Sequence, residues 1–286
     1  MLQPEDTTRA DESDLRDSTA RGYQFLLQGR GEEALLNFRH AVELSQGHPV
    51  ALNNLGNALL QLNQRAAASA AYRQAIAAAP DYPKPYRNLA VLQQLAGETC
   101  EAIATYRLYL SKAPEDGEAH FNLGLLCMSA GLPGEAAPAF AAAAAHLAPD
   151  DAEKATSLGV SYFFLGELTK AAELFEQAQA FDAAYLPARY HLGVTRLHQG
   201  RCAEAIAQLE SVLADSPHYP QAASNLGVAY NTSGRHAEAI RLFEQLLTEQ
   251  PGHHGHLSNL GRACHDAGLS ARAAQYFAQA AALKNV

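Results

Sequence analysis

A dipeptide ending in glycine or alanine recurs along the chain at an almost fixed interval. Its second residue is Gly22, Gly56, Ala90, Gly124, Gly159, Gly193, Gly227 and Gly261, with every step 34 residues except Gly124 to Gly159, which is 35. Twelve residues after each stands an alanine: Ala34, Ala68, Ala102, Ala136, Ala171, Ala205, Ala239 and Ala273. Four further on is a large apolar residue: Phe38, Tyr72, Tyr106, Phe140, Phe175, Leu209, Phe243 and Phe277. Proline closes many units, at Pro80, Pro114, Pro149, Pro217 and Pro251. Three ladders in one register do not arise by chance. Such a chain folds as an array of similar pieces that must stack, because one piece cannot bury its own apolar face.

The residue types explain the ladder. Each unit is predicted to be two antiparallel helices, A and B. Glycine or alanine at the eighth position leaves room for helix A to press on helix B, and the alanine at position 20 does the same from the facing side. The large residue at position 24 is expected to fill the space between neighbouring units. Gly97, Gly131, Gly166, Gly200, Gly234 and Gly268 are placed to end helix A in the left-handed cap conformation. The closing proline lacks an N–H and disfavours helix in the residue before it, so it stops helix B. The alanine-rich composition suits close-packed helices.

This pattern resembles the tetratricopeptide repeat family, whose signature is a 34-residue unit with L-G-x2-Y, A-x3-F and P. The resemblance covers residues 15–286. The family's usual tryptophan is absent, and its position carries residues such as Leu52, Tyr86 or His120. The resemblance implies an all-α protein, a right-handed α-solenoid of eight helix-turn-helix units. The repeats fall at about 15–48, 49–82, 83–116, 117–151, 152–185, 186–219, 220–253 and 254–286, as one solenoid. Residues 1–14 form an acidic stretch expected to be disordered or frayed.

Two places depart from the regular unit. Repeat 4 carries the extra residue, between Phe140 and Pro149, in a helix that also holds Pro138. Pro138 is expected near the end of the first turn, where a missing N–H costs little. The insertion reads either as a longer helix B or as a bend between repeats 4 and 5. Repeat 1 has Arg21 where leucine is usual, as suits a polar outer repeat. At the other end the sequence reads AALKNV, and Ala280, Ala281 and Leu283 are expected to face solvent. That leaves self-association through an uncapped C-terminal repeat open.

The resemblance also implies where a partner sits. In the family, helix A lines a concave groove, with positions 2, 5, 6, 9, 12 and 13 pointing inward. Position 6 holds Asn54, Asn88, Asn122, Ser157, His191, Asn225 and Asn259 in repeats 2 to 8. This ladder resembles the superhelical domain of O-linked N-acetylglucosamine transferases, where it grips an extended peptide backbone. An amide side chain both donates and accepts, matching a peptide N–H and C=O. The same asparagines suit a second role, bonding neighbouring helices and holding the stack together. Position 9 holds Asn57, Val91, Leu125, Val160, Val194, Val228 and Arg262, an apolar row in its middle. Phe121, Met128, Phe163, Phe164 and Tyr190 add to it. Clustered exposed aromatics mark binding sites, although Phe163 and Phe164 also suit ordinary core. The family's other mode, a clamp of basic and amide residues on an acidic C-terminus, is poorly matched: Arg87 and Asn122 fit loosely, Asn53 and Val91 do not.

Composition excludes other classes. Net charge is −9, of which −4 lies in residues 1–14, and no basic stripe suits a nucleic acid. No apolar stretch is long enough to insert in a membrane. The start lacks the basic and apolar runs of a signal peptide, so a cytoplasmic location is expected. Cys100, Cys127, Cys202 and Cys264 are widely spaced, unlike a disulfide or zinc framework. No phosphate loop, nucleophile elbow or zinc-protease motif occurs, so no catalytic residue, metal or cofactor is assigned. His253, His254 and His256, with Cys264 and His265 beyond, match no familiar metal spacing and read as exposed loop histidines. Paired carboxylates such as Asp150-Asp151 fall at repeat junctions and read as helix caps. The function expected is a non-enzymatic scaffold or adaptor for a protein or peptide partner. The alternative is the substrate-recruiting arm of a larger enzyme such as a glycosyltransferase.

Overall fold

The computed structural model describes residues 4–284, with side chains from Asp14 to Leu283. Among the described residues sixteen helices follow one another, in eight A–B pairs. The first four pairs are α1 (Pro4–Leu27) with α2 (Gly31–Leu44), α3 (Pro49–Gln61) with α4 (Arg65–Ala78), α5 (Lys84–Leu95) with α6 (Thr99–Leu110), and α7 (Gly117–Ser129) with α8 (Pro133–His146). The second four are α9 (Ala152–Phe164) with α10 (Leu168–Phe181), α11 (Leu186–His198) with α12 (Cys202–Asp215), α13 (Pro220–Thr232) with α14 (His236–Glu249), and α15 (His254–Asp266) with α16 (Ser270–Lys284). By internal packing the chain forms two compact units, 1–146 and 147–286, where the sequence analysis treats 15–286 as one solenoid.

The turns inside the pairs follow the glycine expectation. Gly97, Gly131, Gly166, Gly200, Gly234 and Gly268 all have φ between 72° and 81°. Repeat 2 has no glycine there and uses Asn63 at φ 58°, the residue type that best tolerates this region after glycine. Asp116 and Asp151 cap α7 and α9, accepting from Ala119 N and Lys154 N at 3.0 and 2.7 Å.

The eighth position shows why glycine recurs. A Cβ on Gly56 would stand 2.4 Å from the Tyr72 ring, and one on Gly227 2.6 Å from the Phe243 ring. The large side chain at position 24 thus lies against its own repeat's glycine. Its environment is not only the gap between units that the sequence suggests. The next repeat still matters: Phe38, Tyr72, Tyr106, Phe140, Phe175, Leu209 and Phe243 are buried, whereas Phe277 of the last pair is 43 % exposed.

Repeat 4 does not absorb its extra residue in helix B. Helix α8 has 14 residues, the same as α4, α10, α12 and α14, so helix B is not lengthened. The extra residue lies in the 147–151 linker. Pro138 lies in the second turn, because α8 begins at Pro133, and it therefore forgoes the bond to the Gly134 carbonyl. At the N-terminus, α1 takes in residues 4–14, the stretch that composition set apart. Residues 1–3, and Asn285 and Val286 of the AALKNV end, lie outside the described residues. Ala281 and Leu283 are exposed as expected, but Ala280 is buried within its own helix pair.

Each helix packs on its chain neighbours within a unit. The A helices also touch one another: α1 with α3, α3 with α5, α9 with α11, α11 with α13, and α13 with α15. Among the described residues the B helices approach one another less closely, through single side-chain pairs such as Arg107 with Glu135. Within each unit the A helices are therefore the crowded inner row.

Candidate partner-binding site

Side chains on adjacent A helices meet because the repeat is 34 residues. A residue therefore lies beside the position 34 or 35 residues earlier. In the first unit, Asn88 Nδ2 donates to Asn53 Oδ1 at 2.9 Å and to Asn57 Oδ1 at 3.0 Å. The Tyr72 hydroxyl donates to the same Asn57 oxygen at 2.8 Å. The Tyr106 hydroxyl, whose pKa burial pushes up to about 12, donates to Gln94 Oε1 at 3.2 Å, with Asn122 beside it. Val91, Phe121 and Leu125 are half-buried, the Phe121 ring centre 6.1 Å from that of Phe140. Met128 is exposed.

Asn54 is a correction to the expected groove. It is 1 % exposed, its Oδ1 accepts from the Tyr23 hydroxyl at 2.7 Å, and its Nδ2 is buried without a partner. Its oxygen is already taken by Tyr23, so this side chain is spent between helices. Val160 leaves the apolar row because it is buried in the second unit. Position 6 faces the seam between A helices as much as the open face, and the packing of each repeat sets which of the two it meets. Arg87, offered as a clamp residue, is held by Glu118 at 2.6 Å.

In the second unit, Asn225 Nδ2 donates to the Tyr190 hydroxyl oxygen at 3.1 Å. The Tyr190 ring lies 5.2 Å from Tyr219 and 5.0 Å from His191. His191 stacks on Phe175 at 5.5 Å and 17°, and burial lowers its pKa to about 4, which keeps it neutral. Val194, Val228, Ser157 and Asn259 are half-buried. Phe163 is half-buried, edge-on to Phe164 at 5.8 Å and to His198 at 5.1 Å. Phe164 is 41 % exposed. The two neighbouring rings thus differ in exposure.

Tyr190 and Asn225 also line a pocket of about 370 Å³ with Gln221, Ser224, His253 and His256. His256 corrects the reading of this histidine run as exposed loop, whereas His253 is exposed in the linker before α15. His253 Nδ1 accepts from the His256 N–H at 3.1 Å and so caps α15, and the two rings stack 3.8 Å apart. His256 is 4 % exposed, and its Nδ1 has no hydrogen-bond partner. Burial and the neighbouring His253 both lower its pKa. Gln221 and Ser224 stand at positions 2 and 5 of their repeat, which the groove register includes, but as single polar residues they carry no signal in the sequence. Among the described residues no cluster of three His, Cys, Asp or Glu side chains is arranged to hold a metal ion.

Stacked helix hairpins with a polar and apolar inner row define a helical-repeat interaction protein. The chain belongs to the tetratricopeptide repeat family: profiles of that repeat match residues 25–91, 87–152, 156–220, 190–254 and 232–285. No curated protein matches it in sequence. Among solved structures it is similar to a tetratricopeptide repeat protein from Parabacteroides merdae ATCC 43184, at 17 % identity and TM-score 0.58, over 88 % of this chain and 99 % of that one. It is also similar to Pseudomonas aeruginosa pilF, at 15 % identity and TM-score 0.63, over 74 % and 96 %. A third likeness is to the APC/C hetero-tetramer Cut9-Hcn1, at 14 % identity and TM-score 0.62, over 93 % of this chain and 52 % of that one. At these identities the likeness concerns the fold. Family membership makes the chain a protein-interaction scaffold in the general sense. Among the described residues, no helix is long and apolar enough to cross a membrane.

Proposed function

We propose that the chain is a non-enzymatic adaptor that holds an extended peptide of a partner protein against its A helices. The pocket at Tyr190 and Asn225 carries this reading. Its lining offers hydroxyl, amide and imidazole groups that donate and accept, and carries no acid, lysine or arginine. That chemistry suits peptide N–H and C=O groups, which are uncharged and need both kinds of partner. Asn88 and Asn122 in the first unit, and Asn259 in the second, extend the same chemistry along each inner row. Phe164, Met128 and the half-buried Val194 and Val228 supply apolar surface for alternate side chains of the peptide.

The test is selection from a displayed random-peptide library, followed by affinity measurement on variants. Selected peptides should bind Tyr190→Phe and Asn225→Ala at least several-fold more weakly than the parent protein. An empty selection, or peptides that bind both variants as tightly as the parent, would sink the proposal.

A further inference from the structure

Residues 44–97 are the electropositive part of an acidic chain. They hold four Lys or Arg residues and one acid, Asp81, for a net charge of +3, while the rest of the chain carries −12. Asp81 is engaged by Lys112 at 3.1 Å, and Arg87 by Glu118. Lys84, Arg65 and Arg73 remain, and the two arginines are both on α4, a helix without an acidic residue. Elsewhere, B-helix arginines such as Arg107 and Arg272 reach a glutamate on an adjacent B helix, Glu135 and Glu244. Arg65 donates only to the neutral Asn63 Oδ1 at 3.2 Å, and Arg73 has no ion-pair partner among the described residues.

These two side chains stand on one face of α4 with Ser69 between them, at i, i+4 and i+8. They border a cleft of about 330 Å³ closed on its other side by Leu92 and Gln93 of α5. Gln93 is 6 % exposed, yet its Oε1 has no hydrogen-bond partner. A buried amide oxygen in that state lacks the donor that such groups almost always have. The cleft therefore presents two cations, a hydroxyl and an unmet acceptor. Glu98 at its border disfavours a dianion and leaves single carboxylates as the better fit.

We propose that this cleft binds an acidic segment of a partner protein in extended form. Eight residues of helix place the two arginine backbones about 12 Å apart. Four residues of extended chain span about 13 Å. Carboxylates at i and i+4 of the partner thus pair with Arg65 and Arg73, and a main-chain N–H between them donates to Gln93 Oε1. The site uses none of the residues of the peptide groove proposed above and stands independently of it.

The probe is a fluorescently labelled, end-capped peptide Glu-Thr-Val-Thr-Glu, with Gln-Thr-Val-Thr-Gln as its uncharged counterpart, followed by anisotropy at low ionic strength on the full chain. The acidic peptide should bind and its counterpart should not compete. Each of Arg65→Gln and Arg73→Gln should weaken binding roughly tenfold, the range of a charge-assisted hydrogen bond. The double charge reversal Arg65→Glu with Arg73→Glu should lose the acidic peptide and gain Lys-Thr-Val-Thr-Lys, a readout that requires a folded cleft. Unchanged affinity in the double Gln variant overturns the proposal. So does the absence of any binding by the acidic peptide, or its displacement by inorganic phosphate at a tenth of the concentration at which acetate, the single-carboxylate competitor, displaces it.

Discussion

Asn225 and Tyr190 sit 35 residues apart and meet at 3.1 Å, the amide of one A helix donating to the phenol of the A helix before it. Asn88 meets Asn53 across the same 35-residue offset in the first unit. One side chain thus joins two repeats and borders the open face at once. Replacing Asn225 by Ala should lower stability by about 1 kcal/mol, the usual net worth of one such bond. Tyr190→Phe should cost a similar amount, and the double variant little more than either alone, since both remove the same interaction. Urea unfolding of the three variants checks this; strictly additive losses would mean the bond is not made.

Glycine at the eighth position is a packing requirement, and it can be separated from glycine as a turn residue. Gly227→Ala sets a methyl 2.6 Å from the Phe243 ring and should cost about 1–3 kcal/mol by overpacking. Adding Phe243→Leu should recover part of that loss, because Leu209 fills the same place against Gly193 in repeat 6. Gly234→Ala has open space but φ 81°, so its cost of about 1 kcal/mol is backbone strain and no change at Phe243 should recover it. Thermal melts of the single and double variants distinguish the two cases.

Phe164 and Phe175 differ in exposure and should differ in effect. Phe175→Ala empties a sealed site and should cost about 3–5 kcal/mol. Phe164→Ala removes a ring that is 41 % exposed and should cost less, about 1 kcal/mol. If Phe164 anchors the partner, its variant should weaken peptide binding by more than it weakens folding. Equal peptide affinity in Phe164→Ala and the parent protein would remove Phe164 from the site.

His191 gives the second unit an acid sensitivity of known sign. Its folded pKa, about 4, lies below the unfolded value near 6.5, so the unfolded chain binds the proton first. Its contribution is complete above pH 6.5 and is lost as the pH falls toward 4, to a total of about 3 kcal/mol. His256 shifts in the same direction. Denaturant unfolding between pH 7.5 and 4 should show a shallower loss in His191→Leu than in the parent protein. Parallel curves would show that His191 is hydrated enough to accept its proton in the folded state.

Much of the fold was legible in the sequence because it is repetitive. The 34-residue interval, the glycines that end helix A and the aspartates that begin α7 and α9 are local signals, and each recurs or stands at a fixed offset. Less of the site was legible. The asparagine ladder reads as one feature in sequence, yet Asn54 is sealed under Tyr23 while Asn225 borders a pocket. Gln221 and Ser224 carried no signal, because no motif distinguishes a polar residue at the rim of a pocket from one in water, and His256 read only as part of an exposed run.

The sequence alone determined that the chain is a stack of helix hairpins, since the spacing of Gly, Ala and aromatic residues permits no other way to bury them. Only the tertiary structure decided which polar side chains are spent between repeats and which remain at the open face. That choice depends on how closely each pair of A helices approaches. It therefore differs from seam to seam even where the residue type is the same.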